Sequence, residues 1–137
     1  MTILIDTNIL VAAVTPNDVH HREATQVLAA LRNEEQIVSA PVLSELFYFV
    51  SKELSYRRAI ISFTRVRMSF QIEALSLPDM ERMEQIMKQY ESAEFDFADT
   101  AIMAQAERLN ITRIATFDHR DFEIFRPTHC EYLELLP

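Results

Sequence analysis

Met1-Thr-Ile-Leu-Ile-Asp-Thr-Asn-Ile-Leu10 is the stretch whose reading decides the fold. Ile3, Leu4 and Ile5 form a short apolar run, rich in β-branched side chains, that stops on Asp6. A run apolar on both faces of the pleat suits a central strand of a parallel sheet, covered above and below. In open α/β sheets the ligand crevice opens beyond the carboxyl ends of the strands, and Asp6 falls there. A carboxylate at that place is poorly hydrated from the protein side, so a polar or cationic group is expected to face it.

The rest of the composition narrows the classes available. A chain of 137 residues fits one domain, residues 1–137, with a core that needs no staples. Glycine is absent altogether. Phosphate-cradling loops of the GxGxxG or Walker A kind, which need glycine geometry, are therefore excluded. Turns must rely on Asn, Asp, Ser and the five prolines. One cysteine, Cys130, leaves no intramolecular disulfide and points to a reducing compartment. No basic-then-apolar leader and no membrane-length apolar run is present, so a soluble cytoplasmic protein is expected. A net charge of −8 argues against a nucleic-acid coat protein. It leaves room for an enzyme that handles phosphodiesters through bound cations.

Outward from the first strand, strands and helices alternate. Residues 8–14 read as a short helix, ended by the turn cluster Thr15-Pro-Asn-Asp18. Residues 21–31 read as a second helix, with Ala24, Val27, Leu28 and Leu31 on one stripe. Residues 37–40 read as a strand, and Pro41 suits the first turn of the following helix. That helix runs to about Leu54, with Leu43, Leu46, Phe47, Val50 and Leu54 inward and Glu45 in its first turn. A helix over 56–68 carries Ile60, Ile61 and Phe63, and residues 70–75 are a weaker strand. Ser76-Leu-Pro-Asp79 resembles a capping box, followed by Leu77, Met80, Met83, Ile86, Met87 and Tyr90 at helical spacing. Residues 97–109 form a further helix with Asn110 as its stop. Residues 113–116 read as a strand, and 132–136 as an edge strand. The alternation predicts βαβ units, a mainly parallel sheet of four or five strands and an α/β class.

Four acids then fall in comparable places. Asp6 ends the first strand, Glu45 begins the helix after the second, Asp99 opens the helix before the fourth, and Asp118 follows the fourth. In a parallel sheet, strand ends and the helix starts after them share one edge. Asp6, Glu45 and Asp118 should converge there, with Asp99 joining from a neighbouring helix. Carboxylates so crowded repel one another unless a cation neutralises them. Oxygen-only ligands suit Mg²⁺ or Mn²⁺.

Four ordered segments, Leu4-Ile-Asp-Thr-Asn-Ile-Leu10, Ser39-Ala-Pro-Val-Leu-Ser-Glu-Leu46, Phe97-Ala-Asp-Thr-Ala-Ile102 and Ala115-Thr-Phe-Asp-His-Arg-Asp-Phe122, resemble the PIN-domain family, most closely its VapC-type toxin branch. The resemblance spans essentially the whole chain. It implies a three-layer α/β/α sandwich and metal-dependent cleavage of single-stranded or structured RNA. By position, Asp6, Glu45 and Asp99 would be the core ligands of Mg²⁺ or Mn²⁺. Asp118 would be the fourth acid, acting through water, with Thr116 and Asn8 supporting the network. Asp96, on the same helical face as Asp99, and Asp121 are alternatives for the Asp118 role. In-line attack of water on the phosphodiester would leave 5′-phosphate and 3′-hydroxyl ends, and no cysteine or histidine nucleophile is needed. The resemblance further implies a toxin–antitoxin system, with a cognate antitoxin protein as partner and a homodimer as assembly.

Plainer roles stand beside these. Asp6 is also a favoured helix N-cap, and Asp96 and Asp99 suit a helix start. Glu45 could be a solvated residue of an amphipathic helix, and Asp118 and Asp121 loop acids. Lys52, Arg57, Arg58, Arg65 and Arg67 form the one basic stretch. It reads as a solvated face with intrahelical pairs, or as a rim for RNA phosphates or an acidic partner segment. His20 and His21 read as surface residues, and Tyr48, Phe49, Phe63 and Phe70 as core or dimer contacts. The methionines of 80–87 fill the core or an exchangeable interface. A receiver-like Mg-binding domain would want a late-strand lysine, where Phe117, Asp118, His119 and Arg120 stand. A phosphatase of the haloacid dehalogenase type wants Asp-x-Asp, and position 8 is Asn. A non-catalytic PIN-like binding module is the remaining rival.

Overall fold

In the computed structural model, which describes all 137 residues, five strands form one parallel sheet. They are β1 (Thr2–Ile5), β2 (Glu35–Ser39), β3 (Gln71–Glu73), β4 (Arg113–Ala115) and β5 (Glu134–Leu136). Their spatial order is β3-β2-β1-β4-β5. The register sets Leu4 opposite Ile37 on one side and Ile114 on the other. Ile3, Leu4 and Ile5 are fully buried, as an apolar run in a central strand requires.

Seven helices make the connections: α1 (Thr7–Val14), α2 (His21–Ala30), α3 (Ala40–Glu53), α4 (Tyr56–Ser69), α5 (Leu77–Gln89), α6 (Phe97–Leu109) and α7 (His119–Ile124). The chain steps outward from β1 through β2 to β3, then returns to lay β4 against the free side of β1. Parallel crossovers are right-handed, so the reversal assigns α1–α4 to one face of the sheet and α5–α7 to the other. The result is the α/β/α sandwich, and its direction changes between β1 and β4. No helix is long and apolar enough to cross a membrane.

Local chemistry explains most boundaries. Ser76 and Asp79 form the reciprocal capping box that opens α5. Asp96 caps α6 by accepting from the Asp99 amide at 2.8 Å. Asn110 ends α6 in the left-handed region at φ 55°, a conformation Asn tolerates better than most side chains. The same φ occurs at Glu94, which ends the short turn Glu91–Ala93 where no glycine is available.

Several expectations need correction. β2 is complete at Ser39, so α3 starts at Ala40 and Glu45 lies in its second turn. The inward face of α3 is Val42, Leu46 and Val50, four residues apart; Leu43 and Phe47 are half-buried and Leu54 is exposed. In α4 the buried positions are Ala59, Ser62 and Val66, which leaves Ile60 and Phe63 to solvent. α4 packs against α3, and small residues allow that close approach better than the larger apolar ones. In α5, Met83 and Ile86 are buried while Leu77 and Met80 are exposed. Tyr48, Phe49 and Phe63 are exposed, so they are not core. The basic residues of α3 and α4 form none of the intrahelical ion pairs expected of them; Lys52 instead lies over the Tyr48 ring, 5.6 Å from its centre. His20 stacks on Phe117 with ring centres 4.7 Å apart, and His21 Nδ1 meets the Ala12 carbonyl at 2.8 Å.

Candidate metal centre at the strand switch

The reversal between β1 and β4 opens a crevice at their carboxyl ends, and both strand tips are polar. Asp6 follows β1 and is 4% exposed; Thr116 follows β4 and is fully buried. The Thr116 hydroxyl donates to Asp6 Oδ2 at 2.8 Å and accepts from the Asp118 amide at 3.0 Å. Asn8 Nδ2 lies 3.3 Å from the same hydroxyl and 3.4 Å from Asp6 Oδ2. The Asn8 side-chain oxygen accepts from the Phe117 amide at 3.1 Å. The other Asp6 oxygen accepts from the Thr7 amide at 2.7 Å. Asp6 is thus both the N-cap of α1 and the end of a network that ties β1 to the segment after β4.

Glu45 reaches the same crevice from α3 and accepts from the Thr7 hydroxyl at 2.6 Å. Asp99 enters from the first turn of α6 and is 6% exposed. Together with Thr7, Asn8, Val11 and Phe49, the acids Asp6, Glu45, Asp96, Asp99 and Asp118 line a cleft of about 290 Å³. The tightest group of carboxylates is Asp99, Asp118 and Asp121, whose oxygens can approach within 4.8 Å of one another. Asp6 and Glu45 stand in the walls of the cleft and outside that group. Asp121 is buried and accepts from Arg120 at 2.6 Å.

Crowding shows in the protonation equilibria. Burial, then the charges of Asp6, Asp96, Asp121 and Asp118, push Asp99 up to about 9. Burial pushes Asp6 up to about 6, against the lowering effect of its bonds from Thr116 and Thr7. Burial likewise raises Glu45 and Asp121 above the ordinary carboxylate range. No lysine or arginine lines the cleft; the ion pair of Arg120 with Asp121, at 2.6 Å, offsets part of the charge at Asp121. Oxygen-only donors in that state fit a hard divalent cation, and the carboxylates close enough together to share one are Asp99, Asp118 and Asp121, with Asp6 and Glu45 in the cleft walls beside them.

Two features escaped the sequence reading. One is Thr7, whose hydroxyl fixes Glu45; its place directly after a strand-ending acid was the only signal. The other is α7, signalled by the spacing of Asp118 and Asp121, the same cap-and-third-residue pattern that opens α6, and by Phe122 and Phe125.

An α/β sandwich with an acid-lined, cation-seeking cleft at its strand switch defines the class. The PIN domain model matches residues 3–126. The chain belongs to the PIN-domain family. Among solved structures it is similar to Mycobacterium tuberculosis VapC20, a Sarcin-Ricin loop cleaving toxin, with a TM-score of 0.77 and 20% identity over 85% of this chain and 89% of that one. It is similar to VapBC2 from Rickettsia felis bound to a promoter DNA fragment, with a TM-score of 0.72 and 22% identity over 98% and 97%. A toxin–antitoxin complex from Klebsiella pneumoniae matches with a TM-score of 0.64 and 25% identity over 87% and 88%. At the level of sequence, no curated protein matches.

Proposed function

We propose that this protein is a divalent-metal-dependent endoribonuclease, the toxin of a toxin–antitoxin pair. The observation that carries the reading is the delivery of acids from four separate segments into one cleft that contains no cationic side chain. Membership of the PIN-domain family and the likeness to VapC and VapBC structures support it. The cation is Mg²⁺ or Mn²⁺, held by Asp6, Glu45, Asp99 and Asp118. Bound there, it supplies Lewis-acid chemistry, lowering the pKa of water and offsetting charge on a phosphodiester.

The chain's own residues prepare that chemistry. Thr116 and the Thr7 amide hold both oxygens of Asp6 in fixed directions. The Thr7 hydroxyl does the same for one oxygen of Glu45 and leaves the other free. Asp118 is exposed at the mouth, where it can accept a proton from an entering water. Preorganised carboxylates need little rearrangement when the phosphodiester arrives.

The antitoxin has a matching surface. Leu43, Phe47, Tyr48 and Phe63 line a groove of about 600 Å³ between α3 and α4, with Lys52 at its edge. Arg57, Arg58, Arg65 and Arg67 of α4 are exposed and carry no ion pair within the chain. An antitoxin helix with an apolar face and acidic flanks suits both features. A second copy of this chain is the other occupant, and co-expression with size-exclusion chromatography distinguishes them.

The test of activity is Asp6→Asn assayed on single-stranded RNA with Mg²⁺, with Mn²⁺ and with EDTA. Wild-type protein should cut only with metal, leaving 5′-phosphate ends, and the variant should be folded and inactive. Metal-stimulated cleavage that survives in the variant would refute the assignment. Metal-saturated wild-type protein that binds RNA without cutting it favours the non-catalytic module.

A further inference from the structure

A second cleft, of about 310 Å³, opens beside the acidic one, lined by Pro41, Ser44, Glu45, Phe97 and Ala98. Glu45 is a wall of both. Pro41, Glu45 and Phe49 recur every four residues on α3, so they form one stripe along the two clefts. Phe97, two residues before Asp99, is 54% exposed, and Phe49 is 43% exposed. α6 is buried at every position from Ala98 to Ala106, which makes Phe97 the one large apolar side chain it offers to solvent.

We propose that Phe97 and Phe49, placed on the two sides of Glu45, are stacking platforms for unpaired bases of single-stranded RNA flanking the phosphate that enters the acidic cleft. The proposal rests on the ribonuclease reading and deepens it by naming what holds the substrate. A phenyl face stacks on any base without hydrogen-bond readout, which suits a negatively charged protein that cannot rely on phosphate attraction alone. The acids around Phe97 argue against a protein occupant. An apolar partner surface seated on that ring would bury Asp96 and Glu45 without compensation. A nucleotide arrives with its phosphate and the associated cations, and keeps those charges balanced. Ser44, an exposed residue lining the side cleft, adds a hydroxyl there.

The chain has no tryptophan, so Phe97→Trp introduces a single indole emitter at the site. With Ca²⁺ replacing Mg²⁺ to suppress cleavage, oligo(A) or oligo(U) RNA should quench that emission, and an abasic chain of the same length should not. Phe97→Ala should weaken oligonucleotide binding, read by anisotropy, by about 5- to 150-fold, the range expected for losing one stacked base. KM for RNA cleavage should rise more than kcat falls, and Phe97→Tyr should restore both. Circular dichroism establishes that the variants are folded. RNA bound without quenching, or an alanine variant with wild-type binding and KM, overturns the stacking site while leaving the nuclease intact. Wild-type protein that neither binds nor cuts RNA counts against the ribonuclease reading as well.

Discussion

Replacing Asp99 by Asn keeps the shape of a carboxyl that the crowded cleft forces to stay protonated but removes the proton the unfolded chain would release, and it should stabilise the metal-free protein. In the native state Asp99 keeps its proton up to about pH 9, whereas the unfolded chain releases it near 3.8. Between those values the native state binds more protons than the unfolded state, so stability falls as pH rises. One group contributes at most about 1.4 kcal/mol per pH unit, which sets the loss between pH 5 and pH 8 at no more than about 4 kcal/mol. Asp6, pushed up to about 6, adds to the same slope only at the acid end of that window. Urea unfolding in EDTA, followed by circular dichroism at both pH values, measures the effect. Wild-type protein should be markedly less stable at pH 8 than at pH 5. Asp99→Asn should be flatter, and more stable than wild type at pH 8. Millimolar Mg²⁺ should raise wild-type stability at pH 8 and leave the variant nearly unmoved, while RNA cleavage is lost in the variant. A metal-free wild-type protein equally stable at both pH values would refute the electrostatic argument, and so would an Asn variant without advantage at pH 8.

Two further substitutions probe the frame around the site. Thr116→Val keeps the shape of a fully buried side chain but removes the hydroxyl between Asp6, Asn8 and the Asp118 amide. It should cost about 1–2 kcal/mol and lower cleavage at least tenfold through kcat, measured by denaturation and by steady-state kinetics. Asp79→Ala removes one half of the α5 capping box and the two contacts to Arg108 at 2.7 and 2.9 Å. The loss should be about 2–3 kcal/mol, with cleavage per folded molecule unchanged. Asp79 is held below its ordinary pKa chiefly by Arg108, against the opposing effect of burial, so its contribution is present above pH 4 and disappears as the pH falls further. The variant should therefore lose its stability difference from wild type under acid conditions.

Legibility in the sequence followed the strength of local signals. β1 and α6 were readable because an apolar run ending on Asp6, and a helix bracketed by Asp96 and Asn110, carry both pattern and punctuation. The helices over α3 and α4 were legible as elements, but not in the face they bury. Their sequences hold apolar residues on more than one side, and which side turns inward depends on a neighbour that local periodicity does not contain. Candidate acids stood out because each follows a strand or starts a helix. Their convergence on one edge was legible too, but the closer approach of Asp99, Asp118 and Asp121 was not, since it depends on how α6 and α7 lie against each other. Thr7, a small residue with a common side chain, gained its place beside Glu45 only through the packing of α1 on α3.

The bond from Thr116 to Asp6 spans 110 positions of sequence, and this has a bearing on synthesis. A nascent chain leaving the ribosome carries Asp6 and Glu45 early, but Thr116, which braces Asp6, is made 110 positions after it, with Asp118 close behind. On the ribonuclease reading, a polypeptide that has not yet reached β4 has no cutting centre. An antitoxin that recognises α3 and α4 meets helices complete by Ser69, well before β4 begins at Arg113.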